Sequence, residues 1–184
     1  GFIGGHLVDY YVKQKHNVVV VDNGETGNHV NQKATYYKLD LITDNIDDII
    51  KGSDLVIHLA STARVKPSFT NPTKYIINNV GNVTNCLDTL RRLDFKGKFI
   101  YFSSSSVYNG CNQVTIMNGS TETTKTRPQS PYAHSKKMAE DMCLFYKSTY
   151  NLDIVIVRPF NVYGDRMSTT DSYATVLSIF KQQY

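Results

Sequence analysis

Strands alternating with helices along the whole chain predict an α/β fold: a doubly wound parallel sheet with flanking helices. Three observations carry this prediction. Apolar runs at residues 18–21, 54–60, 98–102 and 154–158 alternate with segments of helical periodicity. Runs such as Val18, Val19, Val20 and Val21 are unbroken, which suits strands covered on both faces. Stretches rich in Gly, Asn or Ser, at 23–32 and 103–106, punctuate the pattern.

Gly1, Phe2, Ile3, Gly4 and Gly5 open the chain as a glycine turn, and an amphipathic helix follows with Ile3, Leu7, Tyr11 and Val12 on one side. A polar break at Lys15, His16 and Asn17 ends it, and the valine run then terminates in Asp22. Glycine turn, helix, strand and acid form most of a dinucleotide-binding βαβ unit. The glycines let backbone approach a pyrophosphate, the helix N-terminus supplies N–H donors, and the acid binds the adenosine ribose. Asp22 stands 21 residues after Gly1, the spacing such a unit requires. The strand before the turn is not in the sequence, so the chain reads as a fragment with its first strand missing. In the strand order 3-2-1-4-5-6 that strand is central. The 18–21 and 54–60 strands are therefore expected to be poorly stabilised, and a cooperative, high-melting transition is the result that refutes this.

After the loop at 23–32, Tyr36 to Leu39 alternate as a short strand ending in Asp40 and Leu41. A short helix at 44–51 leads to the 54–60 strand, whose end opens into Ser61, Thr62, Ala63 and Arg64. Residues 71–93 read as a long helix, with Tyr75, Ile76, Val80, Val83, Leu87 and Leu90 at helical spacing. The 98–102 strand runs into Ser103, Ser104, Ser105 and Ser106 and then a polar loop at 109–129. A helix from 132 to about 150, the 154–158 strand and a helical segment at 172–183 complete the chain.

The stretch from Ser130 to Lys136 organises the chemistry. Ser130 suits an N-cap and Pro131 the first helical position. Tyr132 and Lys136, four apart, share a helix face. An ammonium fixed near a phenol favours the phenolate and lowers its pKa from about 10, which makes a base of a tyrosine. Tyr11 and Lys15 share this spacing but follow neither a helix-start signal nor a strand ending in serines. They read as helix surface.

At 184 residues with a net charge of +4, and with Lys and Arg scattered among 16 acidic residues, the chain has no basic run of the kind nucleic-acid binding needs. No apolar run reaches transmembrane length, and no secretory signal pattern is present. Cys86, Cys111 and Cys143 are widely spaced without metal-like pairing; they read as free thiols of a reducing, cytoplasmic compartment, and no metal is expected.

Several ordered motifs together resemble the extended short-chain dehydrogenase/reductases, specifically the NAD-dependent epimerase/dehydratase group typified by UDP-glucose 4-epimerase. They are Gly1-Phe2-Ile3-Gly4 with His6-Leu7, Val21-Asp22-Asn23, Asp40-Leu41, His58-Leu59-Ala60, Asn78-Asn79-Val80, Ser103 to Tyr108, Tyr132 to Lys136, and Arg158-Pro159-Phe160-Asn161-Val162-Tyr163-Gly164. The resemblance implies a Rossmann-like NAD-binding domain at 1–164 and the start of a C-terminal substrate-binding domain at 165–184. It implies that Gly1, Phe2, Ile3 and Gly4 lie against the NAD pyrophosphate, that Asp22 and Asn23 take the adenosine ribose, and that Asp40 and Leu41 border the adenine. Leu59, Ala60 and Ser61 would line the path to the nicotinamide, with Asn78 or Asn79 behind them and Phe160 on the nicotinamide side. Ser104, or Ser105 if the register slips, matches the catalytic Ser/Thr position beside Tyr132 and Lys136, and Asn161 would reach a nucleotide-sugar. A carboxylate at Asp22 also repels a 2′-phosphate, which favours NAD over NADP.

These parts imply a base, Tyr132, that removes a proton from a sugar hydroxyl, with Lys136 hydrogen-bonded to the cofactor ribose and Ser104 on the same sugar oxygen. Dehydratase relatives carry an Asp-Glu pair just after the catalytic Thr, and decarboxylase relatives a Glu; Ser105 and Ser106 stand here instead. That favours an epimerase of nucleotide-sugars, UDP-sugars first, over a dehydratase, decarboxylase or reductase. A catalytically silent NAD-binding domain is the alternative from another class. Arg64, Lys66 and Arg166 could face a diphosphate or solvent. The resemblance further implies a homodimer packed through the 71–93 and 132–150 helices.

Overall fold

The computed structural model describes residues 1–25, 29–108 and 119–167. Cys111, the segment at 172–183 and most of the residues assigned above to a second domain lie outside these. The chain divides into two compact units, one of residues 1–40 with 161–184 and one of residues 41–160.

In the first unit, α1 (Phe2–Lys13) starts directly on Gly1 as its N-cap, so Gly4 and Gly5 lie inside the helix rather than in a turn before it. Gly5 is buried, and a Cβ there would stand 3.0 Å from the His29 ring. Its service is close packing. Lys15, with φ 65°, turns the chain out of the helix. β1 (Val19–Val21) pairs in parallel with β2 (Thr35–Tyr37), Val20 opposite Tyr36. Both strands are shorter than the sequence pattern. Val19 and Tyr37 are exposed, unlike strands covered on both faces.

The second unit holds a three-stranded parallel sheet in the order β3 (Leu55–His58), β4 (Lys98–Phe102), β5 (Asp153–Val157). His58 stands opposite Tyr101, and Phe102 opposite Val157. Gly97 makes this register possible, because a Cβ there would lie 2.2 Å from the Asp54 carbonyl oxygen, which accepts from Lys98 N at 3.0 Å. Two long helices pack together: α4 (Pro72–Arg92) and α5 (Pro131–Tyr150). Short helices α2 (Asp47–Ile50) and α3 (Val65–Ser68) are also present, the latter absent from the sequence reading. Asn71 caps α4 through Lys74 N at 3.4 Å, Ser130 caps α5 through Ala133 N at 3.1 Å, and both helices carry Pro at the start. Asn151, in the left-handed conformation, ends α5.

The core of this unit is formed by Val83, Cys86, Leu87 and Leu90 of α4, Ala133, Ala139 and Cys143 of α5, and Phe99, Tyr101 and Ile154 of the sheet. Residues alternate along β4, with Phe99 and Tyr101 inside. Burial pushes the Cys86 and Cys143 thiols up to about 12, so both are inert.

Candidate active site

All three strands of the second unit run parallel, so their C-terminal ends lie along one edge, where ligands of such sheets bind. Ser104 follows β4 by two residues and opens a 3-10 turn, Ser105–Tyr108. Its Oγ accepts from Ser106 N and donates to Ser106 Oγ, both at 3.1 Å, and the hydroxyl draws the Tyr132 phenol toward its ionised form. Ser105 instead gives its backbone N–H to the Pro159 carbonyl at 2.9 Å. Of the serine run, it is the Ser104 hydroxyl that bears on the ionisation of Tyr132.

Tyr132 lies in the first turn of α5, edge-on to Tyr75 with ring centres 6.2 Å apart. Its phenol is held above its ordinary value by burial, against the pull of Ser104 and the positive charge of Arg64. Lys136, 2% exposed, donates from Nζ to the Phe102 carbonyl at 2.7 Å and lies 4.9 Å from the centre of the Tyr101 ring. Burial brings its ammonium down to about 7, opposed by Cys143 and Glu140. This differs from the sequence expectation, in which the Lys136 ammonium lowers the phenol. Here burial dominates both groups, and Arg64 is the cation that favours the phenolate.

The loop after β3 is fastened to α4. Asn79, 1% exposed, accepts from Thr62 N at 2.7 Å and donates to Thr62 O at 3.0 Å and to Ser135 Oγ at 2.9 Å. Asn78 donates to Thr62 Oγ1 at 2.9 Å, and Tyr75 Oη to the Ala63 carbonyl at 2.8 Å. Both asparagines left open by the sequence thus serve the same loop, and Asn79 also ties it to α5. Asn82 donates to the Ala60 carbonyl at 3.4 Å. The fastened loop ends at Arg64, whose φ of 90° a side chain rarely adopts. Leu59 and Ser61 are half-buried and Ala60 exposed along this edge. Leu41 accepts from Asn85 Nδ2 at 3.2 Å. Phe160, 64% exposed, stacks on Tyr108 at 6.4 Å between ring centres.

In the first unit, Gly1 gives α1 no side-chain cap, which leaves first-turn N–H groups open to an anion. The Gly1 nitrogen lies 3.8 Å from Asp22 Oδ2. Asp22 Oδ1 accepts from Gly24 N at 2.8 Å, and Asn23 Oδ1 from Glu25 N at 3.0 Å. Asp40 and Asn161 are partly buried and exposed, respectively. Thr62, Tyr75 and Glu140 carry no motif that marks them as parts of a site, and Tyr108 and Ser135 lie inside motifs without having been given a role. Helical polar residues look like surface until the fold buries them.

Fold and site together define a parallel α/β domain with a hydroxyl, a phenol and a buried ammonium gathered at the C-terminal edge of its strands. The chain belongs to the NAD dependent epimerase/dehydratase family, whose model matches residues 1–183. It is similar to the UDP-glucose 4-epimerase of Streptococcus mutans, with 34% identity over 172 residues, 89% of this chain and 50% of the relative. Among solved structures it resembles the UDP-N-acetylglucosamine 4-epimerase from Methanobrevibacter ruminantium in complex with UDP-N-acetylmuramic acid, at a TM-score of 0.90 and 32% identity, covering 99% of this chain and 59% of that one. It also resembles the UDP-glucuronic acid 4-epimerase from Bacillus cereus in complex with NAD, at a TM-score of 0.78 and 27% identity, covering 90% and 55%. The chain spans about half to three-fifths of the length of the relatives it matches.

Proposed function

We propose that the chain is the cofactor-binding part of an NAD-dependent nucleotide-sugar epimerase acting on a UDP-sugar. The observation that carries this is that one helix, α5, presents both Tyr132 and Lys136, with Lys136 bonded to the Phe102 carbonyl at the end of the strand that leads to Ser104. The residues fit NAD. The uncapped start of α1 suits a pyrophosphate at Gly1, Phe2, Ile3 and Gly4, and Asp22 and Asn23 offer oxygens to an adenosine ribose. Asp40 and Leu41 border the adenine in this reading. Leu59, Ala60, Ser61, Asn78, Asn79 and Phe160 serve the nicotinamide end, and Asn161 the substrate.

NAD, when bound, supplies a hydride acceptor that can give back what it takes. Tyr132 as phenolate takes the proton of a sugar hydroxyl and later returns it, so a keto-sugar forms and is reduced on its other face. Ser104 hydrogen-bonds the same oxygen and fixes its distance from the phenol. Arg64 favours the phenolate against the burial that opposes it, and Lys136 is assigned the cofactor ribose, with bound NAD adding positive charge beside Tyr132. Ser105 and Ser106 provide no carboxyl for moving the protons of a dehydration.

The test uses the whole gene product. Purified protein is examined for bound NAD, then incubated with UDP-glucose, UDP-N-acetylglucosamine and their 4-epimers, with sugar interconversion followed by NMR. Interconversion without net NADH is expected. Tyr132→Phe is expected to lose at least about a hundredfold in turnover while retaining NAD. NADH accumulation would move the reading to an oxidoreductase, and bound NAD with no change in any sugar to a silent binding domain. The exposed Ile77, Leu144 and Phe145 on α4 and α5 support a homodimer through these helices.

A further inference from the structure

Glu140 follows Lys136 by one turn of α5 and is 1% exposed. A carboxylate so placed costs several kcal/mol unless it is paired and hydrogen-bonded. Arg158, immediately after β5, takes it with two arms, Nε to Oε1 at 2.8 Å and Nη2 to Oε2 at 2.7 Å. The remaining arm, Nη1, donates to Tyr108 Oη at 2.7 Å and to the Glu122 carbonyl at 3.3 Å. The guanidinium carbon lies 4.9 Å from the centre of the Tyr108 ring, and Phe160 stacks on that same ring.

One buried ion pair therefore joins three segments: the helix that carries Tyr132 and Lys136, the turn that begins after Ser104 and ends at Tyr108, and the strand end that leads to Phe160. Stability alone does not call for ions here, since well-packed apolar side chains often serve as well or better. What an apolar pair lacks is direction. A planar fork gripping a carboxylate at two points fixes both the distance and the rotation of the segments it joins.

We propose that Glu140 and Arg158 are a positioning pair for the reaction proposed above, resting on that reading, and hold Tyr108 and the Phe160 segment in register with the Tyr132 and Lys136 face of α5. The charge of Glu140 bears on the same face. Lys136 meets the Phe102 carbonyl and the Tyr101 ring from β4; the charged and titratable groups that act on it through space are His58 from β3 and Glu140 and Cys143 from its own helix, and Arg158 pairs with Glu140 from the end of β5. Removing the carboxylate leaves Arg158 uncompensated, which disfavours a second positive charge at Lys136.

The variants E140Q, R158K and E140L/R158M are made in the whole gene product and compared by urea unfolding, by kcat and KM for sugar interconversion, and by NMR. The NMR readouts, on cofactor-free protein, are the Lys136 Cε titration, assigned with K136R, and the ring resonances of Tyr108 and Phe160. R158K keeps the charges and is expected to fold, to hold KM within about twofold and to lose about tenfold in kcat. E140Q is expected to move the Lys136 titration down by about one pH unit. E140L/R158M is expected to regain stability without regaining kcat, which a purely structural pair would not show. Wild-type kcat in R158K and in the double variant, with an unmoved Lys136 titration in E140Q, overturns the proposal. If the wild type interconverts no sugar, the epimerase reading fails on its own. The pair is then judged by NMR: shifted Tyr108 and Phe160 rings in R158K sustain it, and unshifted rings overturn it.

Discussion

Tyr132 and Lys136 are pressed by burial toward their neutral forms, the phenol upward and the ammonium down to about 7. A lysine brought down to about 7 changes charge state readily when a charged ligand enters. His58 shows the same force without a function attached. It is buried between the rings of Phe99 and Tyr101, at 6.0 and 5.9 Å, and neither ring nitrogen has a hydrogen-bond partner among the described residues. Burial lowers it to about 3, so the folded protein holds it neutral while the unfolded chain binds a proton below about 6.5. The contribution to stability is complete above pH 6.5 and is lost as pH falls toward 3, with a slope of about 1.4 kcal/mol per pH unit. His58→Leu is expected to flatten that slope in urea unfolding between pH 6 and 4; an unchanged slope would mean that His58 is not the group responsible.

At this scale the sequence offers candidates for chemistry and says little of how the residues around them are buried. Ser130, Pro131, Tyr132 and Lys136 form a local signal, since cap, first turn and i,i+4 spacing are all set within seven residues. Asn79, Ser135 and Glu140 sit mid-helix, where polar side chains ordinarily face water. Only the packing of α4 on α5 makes them interior.

Among the elements, the long helices were the most legible. Cap and periodicity agree along α4 and α5, and their ends fall within a residue or so of the pattern. α3 was missed because four residues containing Pro67 show no periodicity. β1 and β2 are shorter than their apolar runs, because pairing rather than hydrophobicity defines a strand. The junction of β3 and β4 rests on Gly97, where backbone meets backbone. Gly97→Ala is expected to destabilise the protein by about 1–3 kcal/mol, seen as a lower urea midpoint with an unchanged denaturant slope. A midpoint equal to that of wild type would show that the Asp54 segment can move aside.

For the whole molecule, the parallel α/β class and its element order followed from the sequence, whereas the division into two units did not. Contacts between distant segments set that division, such as His6 Nε2 with the Asp165 carbonyl at 2.7 Å and Arg166 with Asp9 at 2.7 Å. No local pattern encodes a meeting of residues more than 150 positions apart. The proposed association through α4 and α5 is tested by sedimentation. Phe145→Glu is expected to convert a dimer to a monomer while leaving the circular dichroism spectrum unchanged, and a variant that stays dimeric places the interface elsewhere.

The grip of Asn79 on Thr62 gives the loop after β3 an uncommon rhythm. Its amide proton is held by a side chain from the interior of α4, so it cannot reach solvent by the small local openings that release most loop amides. In hydrogen–deuterium exchange, Thr62 should keep time with the slowest amides of α4, and Asn79→Ala should return it to the tempo of an ordinary loop. A stretch without regular secondary structure would thus open and close as one cooperative piece with a helix ten residues downstream.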